Sequence, residues 1–346
     1  MVMNVVSLLK QASLQHASDV HFATGQPPWL RVDGQLRALE PAACSDEDMK
    51  ILLQTVMSTE QQQKFTQRRE LDFAFTIEDG MRLRVTAFQR QSGSAVVFRL
   101  LPRQIPSLVK LHLSPVFTTV CQYTQGLVLV TGATGSGKST TLAAMLDYIN
   151  QTQAKHIITI EDPIELVHTV KRSLINQREV HTHTYNFSHA LRSALRADPD
   201  VILIGELRDL ETIRLALTAA ETGHLVFATL HTQSAAKSIH RIVDVFPGGE
   251  KEWVRSMLAE SLRAIMAQTL LPKMGGGRVA AQEILLCNSA VRNLIRENKS
   301  AQIYSQMQTG ARDGMRTLEM HIKELRTKQL ISAATAQQYI TDVAGY

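Results

Sequence analysis

The eight residues Gly132-Ala133-Thr134-Gly135-Ser136-Gly137-Lys138-Ser139 restrict this chain more than any other stretch. They spell G-x-x-x-x-G-K-[ST]. They sit between an apolar run, Gly126 to Thr131, and a helix-like run, Thr140 to Asn150. Strand, glycine-rich loop and helix in that order make a phosphate-binding loop. The glycines let backbone N–H groups turn inward toward phosphate oxygens, and the helix start adds partial positive charge. In this reading Lys138 reaches the β- and γ-phosphates, the Ser139 hydroxyl holds Mg²⁺, and Thr140 opens the helix beside them. The competing reading is a glycine-rich turn that binds nothing. The complete motif in its expected setting favours a nucleotide.

The remainder of the composition narrows the partners. With 346 residues the chain is long enough for two domains, and 44% hydrophobic with 20% charged residues is a globular balance. A net charge of +5 permits contact with acidic surfaces, but there is no block of Lys and Arg. Aromatic residues make up only 5%, so a stacking platform for single-stranded nucleic acid is not suggested. Cys44, Cys121 and Cys287 are odd in number and far apart, which offers neither a disulfide framework nor a Cys₄ zinc site and fits a reducing cytoplasm. The opening residues, Met1 to Gln11, lack a basic leader and a sustained apolar core. No apolar run approaches the ~20 residues that span a bilayer, so a membrane role is expected to pass through a partner.

Along the first hundred residues, helical spacing over Val5–Gln15 is followed by short alternating runs. Asp19–Phe22, Trp29–Val32, Gln35–Leu39, Leu71–Ile77, Met81–Phe88 and Ser94–Leu101 read as strands, with turns at Asp33-Gly34 and Glu78-Asp79-Gly80. Ser45 ahead of Asp46-Glu47-Asp48 caps a helix. This is an α+β domain over residues 1–103. Pro102 and Pro106 then punctuate the chain, and residues 104–114 read as a linker. From Gly126 onward apolar runs alternate with helical segments: Leu127–Thr131, His156–Ile160, Val201–Gly205 and Leu225–Thr229. That is the signature of a parallel α/β sheet, assigned to residues 115–346. After Pro247 the pattern reads as mostly helical, with Gly275-Gly276-Gly277 as a flexible connection.

Three further clusters each lie near the carboxyl end of a predicted strand, where such sheets bind ligands. In Thr159-Ile160-Glu161-Asp162-Pro163-Ile164-Glu165, carboxylates such as Glu161 coordinate Mg²⁺ or its water, position the attacking water, or form a solvated loop. In Val201–Asp209, four apolar residues lead to Glu206, which is placed to orient and polarise water against the γ-phosphate and to approach the metal. Asp209 caps the next helix, Leu210–Glu221, and Arg208 is an ion-pair partner. In Thr222–Thr232, His231 lies at the phosphate end and is a candidate γ-phosphate sensor, whereas His224 at the strand's start reads as structural. His181-Thr182-His183 reads as loop surface. Arg192 and Arg196 share a helix face, pairing with acids or reaching a nucleotide.

Taken together these motifs resemble the secretion ATPases of the additional-strand catalytic glutamate class, and within them the type IV pilus retraction ATPases of the PilT/PilU type. The opening Ala17-Ser18-Asp19-Val20-His21 is similar to the family's ASDLH-type stretch. Gly132–Ser139 matches its Walker A, Thr159–Glu165 its Asp box, Gly205–Asp209 its Walker B and His224–Thr232 its His box. Two positions depart from the usual pattern, Leu207 in place of Met and Ala228 in place of Gly. Ala290-Val291-Arg292-Asn293-Leu294-Ile295-Arg296 resembles the AIRNLIR motif of retraction ATPases, and it reads either as a contact surface or as packed core. The resemblance implies a PAS-like N-terminal domain, a RecA-like ATPase domain with a helical C-terminal part, and a homo-hexameric ring. It implies Mg²⁺-dependent ATP hydrolysis that moves one domain against the other about the linker. It also implies a cytoplasmic position at the inner-membrane face, an inner-membrane pilus platform protein as partner, and a paralogous pilus ATPase as a possible second one. Arg82, Arg84 and Arg99 are candidates to reach a neighbour's nucleotide in trans, with ordinary sheet-face arginines as the alternative. Other classes to weigh against this are an accessory or related secretion or assembly ATPase, and a nucleic-acid motor.

Overall fold

The computed structural model describes residues 4–32, 34–39, 42–78, 80–101 and 104–344, with side chains to residue 340. Asp33, Asp79 and Pro102, used above as turn and boundary markers, lie outside the described residues. The chain forms two units, residues 1–104 with 163–167, and residues 105–162 with 168–346.

In the first unit the order is α1 (Val5–Leu14), β1 (Asp19–Ala23), β2 (Trp29–Val32), β3 (Gln35–Ala38), α2 (Asp46–Val56), α3 (Thr59–Arg68), β4 (Glu70–Thr76), β5 (Arg82–Arg90) and β6 (Gly93–Leu100). The strands make one antiparallel sheet in the order β3-β2-β1-β6-β5-β4. Period-two alternation decides what each strand buries. On β5, Leu83, Val85 and Ala87 turn into the core, so Arg82, Arg84 and Thr86 lie on the other face. Phe22 and Phe98 meet edge-to-face at 5.7 Å in the middle of that core. Ser45 and Ser58 close α2 and α3 with reciprocal capping boxes.

The second unit runs α4 (Pro115–Val120), β7 (Gly126–Thr131), α5 (Lys138–Thr152), β8 (His156–Glu161), β9 (Leu174–Glu179), α6 (Phe187–Ala194), β10 (Val201–Ile204), α7 (Leu210–Glu221), β11 (Leu225–Leu230), α8 (Ala235–Asp244) and α9 (Lys251–Ser261). β12 (Leu262–Pro272), β13 (Arg278–Leu286), α10 (Ser289–Arg296), α11 (Ile303–Thr309), α12 (Leu318–Thr327) and α13 (Ala333–Ala344) follow. The sheet order is β13-β12-β7-β11-β10-β8-β9, parallel from β12 to β9. Every residue of β7, β10 and β11 is buried, because helices cover both faces. Leu127 and Leu129 face a core with α7, α8 and α9, while Val128 and Val130 face one with α4 and α5. Ahead of α4, residues 105–114 hold turns, and Leu108 is buried in the α4–α5 core.

After Pro247 the chain is mostly helical, from α9 to α13, but one stretch within it is not. The stretch after α9 is a long hairpin, not a continuation of helices. β12 and β13 pair antiparallel from Ala264 opposite Leu286 to Pro272 opposite Arg278. Gly275, Gly276 and Gly277, all at positive φ, form its turn and do not serve as a flexible connection. The apolar run Leu262–Leu271 lies against β7 and is buried on both sides, so it carries none of the alternation that marks a strand. Among the described residues no helix is long and apolar enough to cross a membrane. Cys44, Cys121 and Cys287 are buried.

Candidate functional site

Four neighbouring parallel strands end at the same edge of the second unit's sheet. β7 delivers the loop 132–139, β11 delivers His231, β10 delivers Glu206, and β8 ends on Glu161. Parallel sheets place binding groups at the carboxyl ends of their strands, and the order β7-β11-β10-β8 gathers here the motifs that sequence alone leaves far apart.

The loop is shaped by glycine conformation. Gly132, Gly135 and Gly137 have φ of 140°, 78° and 87°. A Cβ on Gly132 would lie 2.3 Å from Gln268 O and 2.6 Å from Ser136 Oγ, so only glycine fits there. The Lys138 ammonium donates to Gly132 O at 2.8 Å and to Ala133 O at 3.0 Å, which draws the loop around its side chain. α5 begins at Lys138 with no side-chain cap on its N-terminal amides, and Ser136 Oγ is buried without a hydrogen-bond partner. An uncapped helix start and an unpartnered hydroxyl are what a phosphate group satisfies, so these residues fit a nucleotide. Ala133, Thr134, Gly135 and Ser139 are exposed, and Thr140 is half-buried on the first turn of α5.

One residue absent from the sequence-level candidates holds the loop from behind. Gln268 on β12 is 2% exposed. Its Nε2 donates to Ser136 O at 2.6 Å, and its Oε1 accepts from Thr141 Oγ1 at 3.0 Å. A single amide therefore ties the loop to the first turn of α5. No local pattern announces this, because Gln268 lies 132 residues from Ser136.

The acidic side of the site is pre-positioned as well. Gly205 N donates to Ile160 O at 2.8 Å and Leu207 N to Thr229 O at 3.1 Å, fixing the backbone on both sides of Glu206. One Glu206 oxygen lies 3.0 Å from His231 Nε2 and the other accepts from Arg208 Nε at 2.8 Å. The Glu206 side chain is 18% exposed, His231 50%. Glu161 Oε1 accepts from Thr159 Oγ1 at 2.6 Å and from Gln177 Nε2 at 3.1 Å. Among the described residues no group of three His, Cys, Asp or Glu side chains is arranged to hold a metal.

Neighbouring sequence candidates fall as follows. Asp209 caps α7, accepting from Thr212 N at 2.8 Å. His224 Nδ1 bonds to Ala219 O at the far end of β11. His183 Nδ1 accepts from Glu179 N, inside the loop after β9. Arg192 pairs with Glu211, while Arg196 lies beyond the end of α6, so the two do not share a helix face. In α10, Val291, Leu294 and Ile295 are core, and Arg296 pairs with Glu260. In the first unit, Arg84 and Arg99 are cross-strand neighbours. Arg99 Nε donates to Asp19 Oδ1 at 3.0 Å and Arg82 Nε to Ile164 O at 2.9 Å. Among the described residues Arg84 has no ion-pair partner.

Comparison with known proteins follows the same outline. The model of the type II/IV secretion system protein family matches residues 1–344. The type IV pilus retraction ATPase PilT of Pseudomonas aeruginosa is 54% identical over 336 residues, covering 97% of this chain and 98% of that protein. The twitching motility protein of Neisseria gonorrhoeae is 52% identical, covering 97% and 90%. The crystal structure of the pilus retraction motor PilT with bound ADP superposes with a TM-score of 0.90 at 47% identity, covering 97% of this chain and 96% of that one.

Proposed function

This chain belongs to the type II/IV secretion system protein family as a type IV pilus retraction ATPase, and from that premise we propose how its residues turn ATP into pilus withdrawal. The loop 132–139 and the uncapped start of α5 bind the phosphates, with Lys138 releasing its carbonyl partners to do so. The Ser139 hydroxyl and the Glu161 carboxylate would hold Mg²⁺, which would supply neutralisation of the phosphate charge. Glu206 orients the attacking water and accepts its proton. His231 and Arg208 fix the two oxygens of that carboxylate, and His231 stands at the end of β11, beside β7, to register the γ-phosphate.

The observation that carries this reading is the convergence of the phosphate loop, Glu206, His231 and Glu161 on one end of four adjacent strands. A homo-hexameric ring at the cytoplasmic face of the inner membrane supplies the mechanical frame. There Arg82, Arg84 and Arg99 are candidates to reach a neighbour's nucleotide, and the ring works on the pilus platform protein, with a paralogous ATPase as a second possible partner. Arg84, which among the described residues pairs with no carboxylate, is the first of these to test. Complementation of a deletion strain tests the whole. Wild-type protein restores twitching, whereas Lys138→Ala and Glu206→Gln leave cells hyperpiliated and immobile. Loss of surface pili on deletion would instead assign the chain to pilus extension.

A further inference from the structure

A cavity opens at the other end of the same sheet. It has a volume of about 460 Å³ and is lined in part by Tyr123, Gln125, Arg263, Cys287, Arg292 and Asp313. β7 starts at Gly126 beside this cavity and ends at the phosphate loop, about 16 Å away at the usual rise of a strand, so the two sites are distinct.

Two arginines are built into its wall. Arg263 is the extra residue of a β-bulge, since Leu262 pairs with Leu127 and Ala264 with Val128. Bulges re-aim a side chain, and this one sends Arg263 across Gly126, where any Cβ would sit 2.4 Å from Arg263 Cγ. Among the described residues its guanidinium donates to two carbonyl oxygens, Gln125 O at 3.2 Å and Glu260 O at 2.7 Å. Arg292, on the first turn of α10, lies beside the Cys287 thiol, and its Nε is buried without a partner. Among the described residues neither arginine has a carboxylate at ion-pair distance. Burial pushes the Cys287 thiol up to about 11, against the opposing pull of Arg292, Arg263 and Arg296, so these charges converge on one place. Asp313, which also lines the cavity, offsets only part of that charge.

We propose that this cavity is a binding site for a small phosphate-bearing molecule, held between the guanidiniums of Arg263 and Arg292. Planar guanidinium forks match phosphate oxygens, and a dianion restores the charge that the two arginines leave uncompensated. A volume of this size is that of a small-ligand site.

Pyrophosphate is the probe, titrated by calorimetry into the full chain already saturated with ADP and Mg²⁺, so that the phosphate loop is filled. The expected result is one further site. Arg263→Gln and Arg292→Gln each weaken it by about tenfold or more, with ADP affinity unchanged. Asp313→Asn tightens the same site, a gain that a poorly folded variant does not produce. No heat of binding beyond the ADP site overturns the proposal, as does pyrophosphate affinity that ignores both arginine substitutions. Saturation by hexaglutamate with no response to pyrophosphate also overturns it, and makes the cavity a protein-docking site.

Discussion

The His231 imidazole and the Glu206 carboxylate meet at 3.0 Å, joining the ends of two adjacent parallel strands. His231 follows β11, which pairs with β7, the strand that delivers the phosphate loop. A carboxylate held by His231 on one oxygen and Arg208 on the other has its direction set before any water arrives. Catalytic groups gain most when their orientation costs nothing at the moment of reaction.

Glu206→Gln keeps the shape of this pair and removes the proposed proton acceptor. ATP hydrolysis should fall about 10²- to 10⁴-fold, the usual contribution of a positioned base, while ADP and ATP still bind. Steady-state phosphate release, together with nucleotide titration, checks both halves. A wild-type rate would remove Glu206 from the chemistry.

Gln268→Leu leaves Ser136 O and Thr141 Oγ1 without their buried partner. Each unsatisfied group costs about 1–3 kcal/mol, so stability should drop by about 2 kcal/mol or more. Nucleotide affinity should fall as the loop loosens. Thr141→Val, which breaks only one of the two bonds, should cost less on both measures. Denaturant melts with and without ADP separate the two effects.

Gly132→Ala and Gly135→Ala test the loop's geometry against each other. Both glycines have positive φ, but a Cβ on Gly132 collides with Gln268 O, whereas at Gly135 it meets nothing within 4 Å. Gly135→Ala should cost only the strain of a left-handed backbone, about 1–2 kcal/mol. Gly132→Ala should abolish ADP binding, as read from fluorescent-nucleotide titration.

Acid should weaken the C-terminal part through His321. This imidazole is 3% exposed and accepts the Gln282 N–H at Nδ1 at 2.8 Å, which requires a neutral ring. Burial, with Arg316 nearby, holds its pKa at about 3 in place of 6.5. Between those values the unfolded chain takes up a proton that the native state excludes. The stability from this group is therefore complete above about pH 6.5 and falls as pH drops toward 3, by up to about 1.4 kcal/mol per unit. His321→Asn should start less stable but lose this share of the slope, measured by urea unfolding from about pH 6 to about pH 4.

Sequence reading succeeds here where chemistry is local and stalls where it depends on distant pairing. Gly132–Ser139, Asp209 as a helix cap and the alternation of β5 are visible because neighbours a few residues apart decide them. Glu206, Glu161 and His231 are visible as acids and a histidine at the tips of apolar runs, although their meeting is a property of strand order. The β12–β13 hairpin escapes because a strand buried on both faces shows no period. Gln268 escapes for a different reason: an amide in an apolar run has no signature until the backbone it grips is known. The separation of Arg192 from Arg196 turns on the end of α6 at Ala194, and helix boundaries are the least legible feature of a sequence.

The dependence of the phosphate loop on Gln268 makes the motif less portable than its spelling suggests. Transplanted between a foreign strand and helix, Gly132–Ser139 would keep its glycines and lysine but arrive without the amide beneath Ser136 and Thr141 or the carbonyl beneath Gly132. The nucleotide grip of this chain is therefore spelled in two places, and a designer who copies only the first inherits a loose turn.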